Sequence, residues 1–101
     1  MKIDFKHHII SDLAEFNPEK IILFGSYAGD NWDEESDIDI IVVYRTEKKF
    51  MDRLEELYMK WNLPKAVDIL AYTPDEFADM MKDNFFIKQV VKEGIIIYER
   101  T

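Results

Sequence analysis

Between residues 20 and 44 two apolar runs face each other across an acidic stretch, and this arrangement constrains the chain more than any other feature. The first run, residues 20–24, ends abruptly in Gly25-Ser26, and the second, residues 38–44, opens with Ser36-Asp37-Ile38-Asp39. Both runs read as short buried strands. Side chains alternate along a strand, so Asp37 and Asp39 point the same way, about 6.6 Å apart at a rise of ~3.3 Å per residue. Asp is depleted in strands, and two at the mouth of a buried one require a reason. Turn chemistry after Ser36 is one reason. The other is chemical: two carboxylates on one face can share a pair of hard cations lying roughly 3.5–4 Å apart.

The rest of the chain narrows the choice. At 101 residues a single domain over 1–101 is expected, and 48% hydrophobic content is that of a folded globule. A formal net charge of −8 argues against a standing nucleic-acid surface and direct nucleic-acid binding, since phosphate affinity comes from clustered Lys and Arg. An acidic protein still binds a nucleoside triphosphate when cations invert the local charge. The absence of cysteine removes disulfides and thiolate zinc sites. No apolar run approaches the ~20 residues of a membrane span, and no signal-peptide core opens the chain, so a cytoplasmic protein with no membrane partner is expected.

Helical spacing of Phe5, Ile9, Ile10, Leu13 and Phe16 predicts a first helix over 3–16, stopped by Asn17-Pro18. His7 and His8 are neighbours on it, and adjacent helical residues do not converge on one point; they read as solvated or capping residues rather than ligands. Ser26 opens a short helix through Ala28, and 30–35 is an acidic loop. A helix over 47–61 carries the inward stripe Phe50, Met51, Leu54, Leu57, Tyr58 and Trp61. Residues 66–72 form a third strand with Asp68 among apolar neighbours. Thr73-Pro74-Asp75-Glu76 is a helix start with a capping box. That helix breaks near Asn84, a further helical piece covers 85–92, and Gly94 leads into a last strand over 95–98.

The second and third strands are joined by a helical crossover and should be parallel. For Gly25-Ser26 to meet Asp37 and Asp39, the first two strands must be antiparallel. The expected fold is therefore α/β (α+β), a mixed sheet of about four strands with flanking helices.

At that meeting point Gly25 and Ser26 offer backbone N–H groups and a hydroxyl to a phosphate. Asp37, Asp39 and Asp68 offer hard oxygen ligands suited to Mg²⁺. Asp68 also has a plain reading, an edge-strand carboxylate paired with Lys65 or a helix end. As a member of the site it is a proton acceptor for an attacking hydroxyl.

The pattern Gly25-Ser26, Asp37-Ile38-Asp39 and a later Asp68 resembles the minimal nucleotidyltransferases of the DNA polymerase beta-like superfamily, of the kind paired with HEPN-domain toxins. The resemblance spans nearly the whole chain, including Thr73-Pro74-Asp75-Glu76-Phe77 and the ending from Glu93 to Arg100. It implies the nucleotidyltransferase fold, with Asp37, Asp39 and Asp68 as catalytic and metal-binding residues and Gly25 and Ser26 as the nucleotide-binding ones. It implies AMP transfer from ATP with two Mg²⁺ ions. It further implies the antitoxin role in a type VII-like toxin–antitoxin pair, modifying a tyrosine of a HEPN toxin. One departure stands out: family members commonly read G-S-Y-A-R-G, whereas Gly29 and Asp30 follow Ala28 here. A cation near the phosphates is lost and an acid gained. Two other readings stay open: the same chemistry on a small-molecule acceptor, and a non-catalytic antitoxin that neutralises its partner by binding. Whether the chain forms a homo- or hetero-oligomer is open as well.

Overall fold

The computed structural model describes residues 3–29, 33 and 35–100. Helix α1 (Ile3–Leu13) runs on into one 3-10 turn, Ala14–Phe16, and ends where Asn17 takes a left-handed backbone with φ 51°. Strand β1 (Lys20–Phe24) follows, then a single 3-10 turn, Gly25–Ala28. Strand β2 (Ile38–Val43), helix α2 (Phe50–Met59), strand β3 (Val67–Tyr72), helices α3 (Pro74–Asp83) and α4 (Phe85–Glu93) and strand β4 (Ile95–Glu99) complete the order.

The four strands lie in the order β3-β2-β1-β4. β2 is antiparallel to β1 and parallel to β3, and β4 is antiparallel to β1. The mixed sheet expected from the chemistry is thus the one that forms. The central strands are nearly continuous in apolar residues because both faces are covered. On one face Ile38, Ile40 and Val42 meet Ile9 and Leu13 of α1 and Leu57 of α2. On the other, Ile22, Ile41 and Val43 meet Phe77 of α3 and Ile87 and Val90 of α4. Parity then places Asp39 and Asp37, in step with Ile41 and Val43, on the α3/α4 face.

The helix starts are chemically specified. Thr73 Oγ1 accepts from the Glu76 N–H at 3.2 Å while Glu76 Oε1 accepts from the Thr73 N–H at 2.9 Å, the reciprocal capping box. Asn84 ends α3 and caps α4, its Oδ1 accepting from the Ile87 N–H at 3.0 Å. The break near Asn84 is thus two helices sharing one cap residue.

Three expectations need correction. The α2 helix covers 50–59, not 47–61, because Lys49 has an extended backbone and Lys60 caps the end. Its inward stripe is narrower: Met51 and Tyr58 are exposed, and Arg53 is buried instead. The helix after Ser26 is only one 3-10 turn, too short for an appreciable macrodipole, so it offers backbone donors only. Of the acidic loop, Asp30, Asn31, Trp32 and Glu34 lie outside the described residues. His7 and His8 are exposed on α1. Among the described residues no helix is long and apolar enough to cross a membrane.

Candidate active site

Strand register assembles the site. Phe24 at the end of β1 pairs with Asp39 near the start of β2, and Asp39 pairs with Asp68 near the start of β3. Phe24, Asp39 and Asp68 therefore form one row across three strands. Directly paired residues project to the same face, so both carboxylates stand together on the α3/α4 side. Asp37 precedes β2 by one residue, at the point where the Ile38 N–H donates to the Ala66 carbonyl at 3.0 Å.

Gly25 follows Phe24 with φ at +72°, a left-handed value that favours glycine. A Cβ added there would collide with Asp39 Oδ2. The glycine is thus needed twice: for the turn that swings the chain out of β1, and for the close seat of the Asp39 carboxylate against the turn. Ser26 follows, half-buried, at the head of the 3-10 turn.

Partial burial, then the charge of and hydrogen bond with Asp68, then the charge of Asp37, raise the Asp39 pKa from the usual 3.8 to about 6. Two neighbouring carboxylates thus act on the Asp39 charge. The sequence-based expectation was that Asp37, Asp39 and Asp68 converge as three ligands. The structure gathers Asp39 with Asp68, and Asp37 reaches Asp39 by charge. Among the described residues no three His, Asp or Glu groups stand close enough to cage an ion by themselves. That partial donor set suits Mg²⁺, which keeps several waters and takes one or two carboxylates plus substrate phosphates. The edge-strand reading of Asp68 matches the structure in position: β3 lies at the edge of the sheet and Asp68 is exposed, although its neighbours in sequence are apolar.

Beside the Gly25–Ala28 turn lies a cleft of about 520 Å³. Gly25, Ser26 and Gly29 line one side, and Phe86, Gln89 and Glu93 of α4 the other. Phe86 meets Phe24 edge-on, ring centroids 6.2 Å apart. Sequence reasoning did not find this wall, because its residues read only as the faces of an amphipathic helix.

β1 thus ends in a Gly-Ser turn, beside which Asp39 of β2 pairs with Asp68 of β3 and Asp37 stands just ahead of β2. The chain belongs to the polymerase beta nucleotidyltransferase family, whose model matches residues 7–101, and it is a minimal nucleotidyltransferase of that family. It is 40% identical over 81 residues to "Putative protein adenylyltransferase MJ0604" of Methanocaldococcus jannaschii, a match covering 79% of this chain and 78% of that protein. A crystal structure of a toxin–antitoxin with AMP-PNP superposes with a TM-score of 0.68 at 26% identity, covering 95% of this chain and 74% of that one. A Sulfolobus solfataricus structure, 22% identical with a TM-score of 0.64, shares the fold over 95% of this chain and 78% of its own.

Proposed function

We propose that this protein transfers AMP from ATP to a hydroxyl of a partner protein, the tyrosine of a HEPN toxin, and so acts as the antitoxin of the pair. The observation that carries the reading is the Asp39–Asp68 pairing set against Gly25, a carboxylate pair beside the Gly25–Ala28 turn. The names of the similar proteins support it: a protein adenylyltransferase in one case and a toxin–antitoxin with an ATP analogue in the other.

In this reading the Gly25 and Ser26 backbone N–H groups and the Ser26 hydroxyl hold the phosphates that leave. Asp39 and Asp68, with Asp37 beside them, would hold the two Mg²⁺ ions, which would supply charge neutralisation at the triphosphate. Asp68, exposed on the edge strand, takes the proton of the attacking hydroxyl. The acceptor O–Pα bond forms, the Pα–O bond to pyrophosphate breaks, and pyrophosphate departs. The exposed position of Asp68 favours a protein acceptor over a small molecule, because among the described residues it stands open at the sheet edge.

The test is intact-mass analysis of a co-expressed or mixed HEPN partner with ATP and Mg²⁺. A gain of one AMP on the partner is expected, lost with Asp68→Asn. Neutralisation by Asp68→Asn with no mass change would replace this reading with that of a binding-only antitoxin.

A further inference from the structure

Proton transfer to Asp68 needs a hydroxyl at the open edge of β3, and the chain places one of its own there. In the parallel pairing the Ile38 N–H donates to the Ala66 carbonyl and the Tyr44 N–H to the Tyr72 carbonyl, both at 3.0 Å. Even-numbered residues of β3 thus turn their backbone groups toward β2, and Ile69 and Ala71 turn theirs outward. Side chains of α2 meet those outward groups. Arg53 donates to the Ala71 carbonyl at 3.2 Å, and the Ile69 N–H donates to the Tyr58 hydroxyl at 3.0 Å. The Tyr58 oxygen therefore lies off the edge of the sheet, close to its plane, beside the residue that follows Asp68. Asp68 rises on the α3/α4 side of the same edge and is exposed. Tyr58 starts from the α2 side, and its ring carries the hydroxyl to the border between the two faces.

The other four tyrosines are placed elsewhere. Tyr27 and Tyr44 are buried, and Tyr44 donates to Glu56. Tyr72 closes β3 at its far end, and Tyr98 is half-buried on β4, across the sheet. Tyr58 is 41% exposed, and among the described residues its hydroxyl accepts from Ile69 and donates to none. Its neighbour Leu57 is fully buried, which holds this turn of α2 in place. An exposed ring on a held backbone changes rotamer rapidly, and such a change moves the oxygen over the edge toward Asp68.

We propose that Tyr58 is a self-modification site: the chain transfers AMP from ATP to its own Tyr58 hydroxyl. The inference rests on the nucleotidyl-transfer reading. The Tyr58 Oη–Pα bond forms and the Pα–O bond to pyrophosphate breaks. The phenolic proton passes to Asp68, and pyrophosphate leaves. The product is an adenylyl group in phosphodiester linkage to the tyrosine.

The purified full chain, incubated alone with Mg-ATP and read by intact mass and by peptide fragmentation, tests it. A single adenylyl group is expected, on Tyr58. Fragmentation of the wild-type chain locates the group directly, whatever Tyr58→Phe does to folding. Tyr58→Phe should remove the group, and Asp68→Asn should slow its appearance by roughly a hundredfold or more, the value of a general base. Transfer within one chain makes the rate per molecule independent of protein concentration. Without nucleotide, Tyr58→Phe should speed hydrogen exchange at the Ile69 amide, and unchanged exchange would remove the hydroxyl from the edge and overturn the proposal. A rate that rises with protein concentration, an adenylyl group on another residue, or equal labelling of Tyr58→Phe also overturns it. A HEPN partner that gains AMP beside a wild-type chain that gains none overturns self-modification and leaves the transfer reading standing. If neither gains AMP, the transfer reading falls and self-modification with it.

Discussion

The two ends of β2 and β3 carry charged groups arranged in opposite ways. At the end where these strands finish, Arg53 is 7% exposed and fully engaged. Its guanidinium donates to Glu76 Oε1 at 2.7 Å and Oε2 at 3.1 Å, and to the Lys48 and Ala71 carbonyls at 2.7 and 3.2 Å. Beside it Tyr44 donates to Glu56 at 2.8 Å, and Lys48 pairs with the same carboxylate at 2.8 Å. The hydrogen bond from Arg53 holds the Glu76 carboxyl below its usual range. At the end where the strands begin, Asp39 faces Asp68 with Asp37 next in line, and burial with like charge lifts Asp39 to about 6. The same residue types act as a clip at one end and an unbalanced charge at the other. Paired charges fasten α2, β3 and α3 together at one end; like charges raise the cost of ionising Asp39 at the other.

Substitutions at the two ends should therefore fail in different currencies. The largest effect is expected from Gly25→Ala. The new methyl needs the space of the Asp39 carboxylate and a left-handed backbone, so Asp39 moves. A displacement near 1 Å should cut the transfer rate about a hundredfold or more, measured as AMP incorporated per folded molecule. Unchanged turnover would break the claim that the Gly25 seat sets the site.

Arg53→Met should act on stability instead. It removes the clip and leaves the Ala71 carbonyl short of a donor, costing about 2 kcal/mol in urea unfolding. Activity per folded molecule should be retained, and a selective loss of activity would erase the distinction between the two ends. Thr73→Ala, which removes half of the capping box, should cost about 1 kcal/mol in the same assay, again with activity intact.

The smallest effect sharpens the comparison by its sign. Because Asp39 binds its proton more tightly folded than unfolded, its contribution to stability is present in full below pH ~4. It is lost as pH rises through about 6. Without metal, Asp39→Asn should therefore melt above wild type at pH 8, by under about 1 kcal/mol after solvent screening. The gap should close by pH 4. Glu76 runs the other way: with its carboxyl held low by Arg53, its contribution is present at neutral pH and lost as acid protonates it. A variant that melts below wild type at pH 8 would mean the acidic end is not repulsive.

The sequence alone determined what local pattern can determine. The apolar runs of β1 and β2 are central strands because no alternation interrupts them, and Thr73 through Glu76 could only cap a helix. Requiring Gly25-Ser26 to meet Asp37 and Asp39 also forced β1 and β2 to be antiparallel, which the register from Phe24 to Asp39 bears out. Tertiary structure decided the rest. Arg53 sits between Asp52 and Leu54 in a polar-looking turn of α2, and nothing local marks it as buried. Its partners, Ala71 and Glu76, lie 18 and 23 residues away and meet it only when the crossover closes. The exposure of Asp68 follows from β3 ending up at the sheet edge, an outcome of strand order, not of its neighbours in sequence. The place of β4 beside β1 and the cleft wall from α4 were equally silent, because long-range pairing leaves no periodic trace in the chain that makes it.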